Sequence, residues 1–546
     1  VTRRRLIQIL LIVAIAMGVA VDGFFAIVNF YPVAPHASRG PTRYLVMQLD
    51  EVQAKWFRDN VLDDFDKEMN LDVQLIRVDD EDQLLPAAAK ALDEGKDVVG
   101  VTLPPLQLDR AVASKQVRPY SDAIAPDVIA RDFEALGDKV LATGKRGGAQ
   151  VFLPRMTVVD VLVYRVSKVR DAILHWSLLR PQIDAALAKV NGRGLPAHYD
   201  LNLSPDEWDA YDIFVMAFYW SHRRYDNQAP QPRVAHRTGD TIDGQIDIAA
   251  GLYGAGVNDS TLGTFDSRSA RDYFEWEVLF RGQGLYPPAM YGPNPYSDDD
   301  VIAALEHGDV FLAPIDAMDA FSLHGGAHAA AISRFDDPAD LEFTELPNGA
   351  SLAIGPDGRA ARTSQSFSFR QDWVWALPAR AKATKVGYDL VRFLWRPEIH
   401  ARECEALGML PTHPDVVASR VSRFRLDWMT HVFEAGLEQT LKGAALPAAL
   451  VRNGYASIYA QLWTKIVAGS PPISDPDAIA KTLREKIEPH PPIIVAAPPP
   501  PPPAAAPDDT AQAIDQPQPL TEDWEAEVSF DNITPAPAKR ESGAPR

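Results

Sequence analysis

The chain has 546 residues, ample for two or more bodies with their own cores. Its net charge of −20 disfavours nucleic-acid binding, which needs a long basic track to meet the phosphates. A single cysteine, Cys404, excludes an internal disulfide and any cysteine-rich metal site.

At the N-terminal end, Arg3, Arg4 and Arg5 precede an apolar run from Leu6 to Tyr31, interrupted by Gln8, Asp22 and Asn29. A run of roughly 20 such residues spans a bilayer. Basic residues stay in the cytoplasm, which places the rest of the chain outside. Two readings stand. A cleaved signal peptide has Leu6–Ala20 as its apolar core and Gly18-Val19-Ala20 as its cleavage site. An uncleaved anchor keeps the whole run, and the continuation through Phe24–Val28 favours it. Residues 32–42 are a proline-bearing linker.

Tyr44–Leu49 reads as a strand and Val52–Glu68 as an amphipathic helix through Trp56, Val61, Leu62 and Phe65. Asp72–Val78 is a second strand. Leu84–Glu94 is a helix stopped at Gly95, and Val98–Leu103 is a continuous apolar strand. Strands alternating with helices predict a parallel sheet covered on both faces. Asp79-Asp80-Glu81-Asp82 reads as a solvated loop, since it lacks the spaced ligands and glycine of a calcium loop. Val158–Val166 is strongly β-branched and fits a strand.

Ser204-Pro205 is a helix cap by composition. Helices follow at Ser269–Phe280 and Asp298–Glu306. His324 and His328 have i,i+4 spacing, but glycines lie between them and no acid completes a zinc set. Trp373–Pro378 is a buried strand, its Trp373 and Trp375 expected to face one to the core and one outward. A helix with one buried stripe begins near Thr384 through Val386, Leu390, Phe393 and Leu394. Pro397 opens a second helix that Gly408 can end in a left-handed conformation. Cys404 lies in that helix as a small buried apolar residue. Helices return over Gly454–Ile487. From residue 488 the composition turns to Ala, Pro, Asp and Gln. Pro498–Pro503 is unbroken, and residues 489–546 hold nine acids and three bases. That tail is expected to be disordered, with one aromatic island at Trp524, Val528 and Phe530.

The order of these motifs resembles that of bacterial extracellular solute-binding proteins of family 1, the maltose- and sugar-binding type. The matching residues are Gly95-Lys96-Asp97-Val98-Val99, the Gly147–Pro154 segment, Tyr164 ten residues after Pro154, and Ser204–Asp209. Gly284–Pro287, His307–Pro314, Leu341–Gly349, the helix–proline–helix of Thr384–Leu407 with Gly408–Thr412, and Leu462–Gly469 complete the set. The resemblance covers roughly 43–487. Two departures are that Gln116–Tyr120 lacks the family's glycine, and that Leu103 and Asp316-Ala317 stand where family aromatics are common.

The resemblance implies an α/β fold of the two-lobed, type II periplasmic-binding-protein kind. Its lobes are 43–157 with 367–420, and 158–366 with 421–487. It implies no catalysis, no cofactor and no metal. Its partners are an ABC permease and the membrane through the N-terminal segment. No lipid-anchor cysteine follows that segment. The solute is expected between the lobes, touched by loops at the carboxyl ends of strands. That topology selects Gln48, Asp50 and Glu51; Thr102; Arg155, Met156 and Thr157; Asp316 and Asp319; and Asp372 and Trp373. Tyr219 and Trp220 enter as second-lobe aromatics. Carboxylates with aromatic faces suit a sugar or polyol. The same acids suit a polyamine, and Arg155 an anionic group. A second reading keeps the fold but makes the protein a tethered sensor or scaffold whose tail docks a partner. A secreted hydrolase finds support only in scattered His and Asp.

Overall fold

The computed structural model describes residues 40–136, 141–223, 233–323, 340–418, 427–447, 449–450 and 453–485. The N-terminal apolar run, the His324/His328 pair and the proline-rich tail with Trp524 lie outside these residues. No helix among the described residues is long and apolar enough to cross a membrane.

Two principal sheets organise the chain. In the first, the strands run in the order Ala444–Ala445, Phe369–Pro378, Val98–Leu103, Thr42–Gln48 and Asp72–Val78; Val117–Arg118 and Phe152–Val158 also pair with Phe369–Pro378. Thr42–Gln48 is parallel to both of its neighbours, with Thr42 opposite Asp72 and Val46 opposite Val101. Val98–Leu103 is buried along its whole length, as a strand covered on both faces must be. Phe369–Pro378 runs antiparallel to Val98–Leu103 and to Phe152–Val158. This sheet and its helices share one core, from Leu45 and Phe57 to Phe393 and Cys404.

In the second sheet the order is Leu341–Thr344, Asp160–Arg165, Val310–Asp316 and Arg233–Val234. Asp160–Arg165 is antiparallel to both of its neighbours. A separate core surrounds it, holding Val161, Phe214, Trp276 and Phe311. A third, helical cluster joins Ile246 and Phe274 to Tyr459 and Trp463.

The chain passes between the two sheets more than once. Phe152–Val158 belongs to the first and Asp160–Arg165 to the second, with Val159 alone between them. The predicted single strand over 158–166 is therefore the second of two. The chain returns from Leu341–Thr344 to Phe369–Pro378. After the helix Pro397–Leu407 it crosses again, and the helix Asp427–Lys442 packs on the second sheet. Two contacts tie the crossings together: the Asp160 N–H donates to Ser368 Oγ at 3.0 Å, and Thr157 bridges to Leu410.

The helix pair at Thr384–Leu394 and Pro397–Leu407 forms as its residues dictate. Pro397 occupies the first turn, and Gly408 closes the second helix at φ 73°. Cys404 is buried there, and burial pushes its thiol well above the usual range. Two expectations are corrected. Ser204 makes no side-chain cap, and Pro205–Glu207 is a single 3₁₀ turn. The long helix begins at Ala210, where Asp209 and Asp212 satisfy each other's backbone N–H groups. Trp373 and Trp375 are both buried, because residues two apart share a face of a strand.

Candidate functional site

Several candidate residues are committed to packing. Arg155 is 4% exposed. Its guanidinium lies 3.0 Å from Glu403 and stacks 4.6 Å from the Trp375 ring. It belongs to the wall between strand and helix, so no face is left for an anionic solute. Met156 and Trp373 are buried and sit opposite each other in the ladder, and Thr102 pairs with Trp375. Thr157 Oγ1 donates to Asp372 Oδ1 at 2.9 Å, and Arg370 Nε reaches the same carboxylate at 2.9 Å. Tyr219 and Trp220 face inward: the Tyr219 hydroxyl donates to Asp171 at 3.0 Å and Trp220 Nε1 to the Lys168 carbonyl at 3.0 Å. The apolar run Ile213–Trp220 within the helix Ala210–His222 reads equally as a site wall or a core, and burial decides for core.

Gln48 ends its strand. Asp50 caps the helix that follows, accepting from the Gln53 N–H at 2.7 Å, with Glu51 exposed in its first turn. Both carboxylates therefore border solvent.

Asp316 and Asp319 converge with acids that topology alone did not select. The common centre is Arg237, which is wholly buried. Its Nη2 lies 2.5 Å from Asp160 and 2.5 Å from Asp247. Its Nη1 lies 3.1 Å from Asp298 and 3.2 Å from Asp316. The Arg237 N–H also donates to Asp247 Oδ2 at 2.9 Å.

Local structure explains why these groups meet. Ala235, following the short strand Arg233–Val234, donates its N–H to the Leu312 carbonyl at 3.3 Å, which keeps the chain beside Val310–Asp316 just before Arg237. Thr238 and Tyr296 bond backbone to backbone at 2.9 Å, which brings the start of the helix Asp298–His307 alongside. Thr241 caps the helix Ile242–Gly254 and puts Asp243 in its first turn. Ser297 and Asp300 form a reciprocal cap that starts the helix at Asp298. Asp316 ends its strand, and Asp319 lies in the first turn of Ala317–Leu323. Three helix starts thus carry carboxylates to one place, where unpaired N–H groups favour negative charge.

Glu81 joins this group from the first sheet's side. The segment read as a solvated loop turns at Asp80, whose side chain accepts from the Asp82 N–H, and Glu81 is buried. The adjacent helix Leu84–Asp93 and the Gln107 amide, which donates to the Glu81 carbonyl at 2.9 Å, hold it inward.

One guanidinium cannot neutralise so many carboxylates. Burial, then the neighbouring Asp298, pushes Asp243 well above the usual carboxylate range. Burial, then the Asp243 charge, does the same to Glu81. Asp319 is raised to about 8 by burial and Asp298. Asp247 reaches about 6, as burial outweighs Arg237. Asp316 is raised by burial despite Arg237.

A cavity of about 240 Å³ shares Asp160 and Asp247 with this cluster and extends into the second sheet's core between Trp276, Phe280 and Leu312. On its wall His236 Nε2 meets Glu277 at 3.1 Å, and Glu277 also accepts from Tyr286 at 2.9 Å and Trp463 at 2.7 Å. Burial disfavours the imidazolium, but Glu277 outweighs it and holds His236 above its ordinary value.

No family model matches the sequence, and no curated protein matches it. Solved structures do match in shape. The GacH receptor of Streptomyces glaucescens, solved unliganded and with acarbose, aligns at TM-score 0.55 and 15% identity, over 81% of this chain and 96% of that one. A solute-binding protein of an ABC transporter from Thermotoga lettingae, bound with α-D-tagatose, aligns at TM-score 0.56 and 14% identity, over 81% and 100%. The maltotriose-binding protein of Thermus thermophilus aligns at TM-score 0.54 and 11% identity, over 81% and 97%. The likeness spans both sheets and nearly the whole of each neighbour, so the chain has the α/β fold of the periplasmic sugar-binding proteins.

Proposed function

We propose that this chain is the solute-binding component of an ABC-type importer and that it takes a carbohydrate or other small polar solute. The fold carries the reading: two sheets with separate cores, joined by repeated passes of the chain. The neighbours sharing that fold are receptors bound with acarbose, tagatose and maltotriose. The two lobes are 43–157 with 367–420, and 158–366 with 421–487, except that Val158 and Ala444–Ala445 pair in the first lobe's sheet. Closing them about the crossing strands presents a composite surface to a permease. The protein catalyses nothing; it works on the outer side of the cytoplasmic membrane, held there by its N-terminal segment or released by cleavage.

Asp50, Glu51, Asp316 and Asp319 are the candidates best placed to accept hydroxyl hydrogen bonds, since carboxylates bind such donors in pairs. Tyr219, Trp220 and Trp373 are spent on the core, so stacking comes from other residues. A melting-temperature screen with sugars, polyols, polyamines and amino acids tests the reading. One class that raises the melting temperature supports it. No stabilisation by any of them would remove it.

A further inference from the structure

The geometry points to a site for a hard divalent cation, calcium or a similar ion, held by Asp243, Asp298 and Asp316, with Glu81 closing it from the first sheet's side. One oxygen from each of the three aspartates can be chosen so that all lie within 4.8 Å of one another. Calcium–oxygen distances are about 2.3–2.6 Å, so two oxygens on one ion stand at most about 5 Å apart. The three carboxylates fall inside that limit. Oxygen-only donors select hard cations over zinc or copper.

A second observation concerns Glu81. It is 8% exposed, and among the described residues its carboxylate has no hydrogen-bond or ion-pair partner. Its strongest charged neighbours after burial are other acids, Asp243 first. A buried carboxylate stays ionised when it is paired or coordinates a metal, and otherwise keeps its proton. Asp243 and Asp319, both half-buried, also have no hydrogen-bond or ion-pair partner among the described residues. Asp316 Oδ1 is buried and makes no hydrogen bond despite facing Arg237.

Arg237 sets the charge balance. Its guanidinium serves Asp160, Asp247, Asp298 and Asp316. Each carboxylate has a second oxygen, so Asp298 and Asp316 can face Arg237 on one side and an ion on the other. One positive charge cannot offset those four, and Glu81, Asp243 and Asp319 have no cation in direct contact among the described residues. A divalent ion offsets part of this negative charge and ties the Glu81 turn to the second sheet's helices. No spaced motif announces such a site, because its ligands come from four separate segments. The inference does not depend on the solute-receptor reading.

The full chain, stripped with a chelator and dialysed, is titrated with calcium chloride by calorimetry and by melting temperature. Saturable binding and stabilisation are expected. D243N removes a ligand and should abolish both, while its metal-free form melts no lower than the wild type, since one repelling charge is gone. E81Q, in a different body of the fold, should weaken binding by about tenfold, the cost of losing a supporting carboxylate. Absence of any calcium or manganese response in the wild type overturns the proposal. So does a response in D243N equal to that of the wild type, or stabilisation by spermidine without stabilisation by calcium. A calcium response with no response to any solute would sustain this site while removing the receptor reading.

Discussion

Asp160 and Asp316 sit directly opposite each other in the antiparallel ladder of the second sheet, and Arg237 reaches both, at 2.5 Å and 3.2 Å. Like charges at facing positions repel, and the buried Arg237 guanidinium offsets that repulsion where the ladder closes. Asp160 is also where the chain enters the second sheet, and its N–H is tied to Ser368 on the return pass. The same two residues therefore mark the seam between the sheets and the edge of the acidic site.

Arg237→Met should be among the most damaging single changes in the second body. It leaves Asp160 and Asp247 buried without a counter-charge, a loss of about 3–5 kcal/mol for removing one partner of a buried ionic group. Chemical denaturation should show a matching fall in midpoint. Low pH should restore part of it by protonating the stranded carboxylates.

Acidic groups at this site should make the metal-free protein less stable as pH rises. Glu81, Asp243, Asp247, Asp316 and Asp319 all hold their protons more tightly in the folded state. They face one another, Asp160, Asp298 and Arg237, with His236 beside Asp247. A carboxylate raised on folding contributes stability that is full below its unfolded value and lost as pH climbs through its folded value. For Asp319 the window runs from about 4 to about 8. Melting temperature in chelator should fall across that window, and D319N should flatten the slope. An unchanged slope in D319N would show that the cluster does not govern it.

Arg155 should matter for stability and not for solute affinity. Arg155→Ala strands Glu403, which is 2% exposed, at a cost of about 3–5 kcal/mol. The double change R155M/E403L removes both charges and should recover most of the loss. A thermodynamic cycle measures the coupling, and any solute-induced melting shift should persist in the double variant.

Gly387 marks the close approach of the helix Thr384–Leu394 to the first sheet. A Cβ added there would stand 2.6 Å from Leu377 Cδ2 and collide with the Val99 carbonyl. Gly387→Ala should cost about 1–3 kcal/mol by overpacking, although alanine is the better helix former. Equilibrium unfolding would register this as a lower midpoint at unchanged slope.

Residue order alone determined the local elements of the first sheet. Val98–Leu103 read as a covered strand from its length, its valines and the Gly95 before it, and Pro397 with Gly408 delimited a helix, because backbone restrictions and apolar period act over a few residues. The acids were legible one at a time, as Asp316 and Asp319 were. Tertiary structure decided their meaning: it buried Arg155, Tyr219 and Trp220, turned Glu81 inward, and gathered Asp243, Asp298 and Asp316 around Arg237. Burial and charge coupling depend on distance through space, and residues 81, 237, 243, 298 and 316 become neighbours only when separate helix starts and two sheets meet.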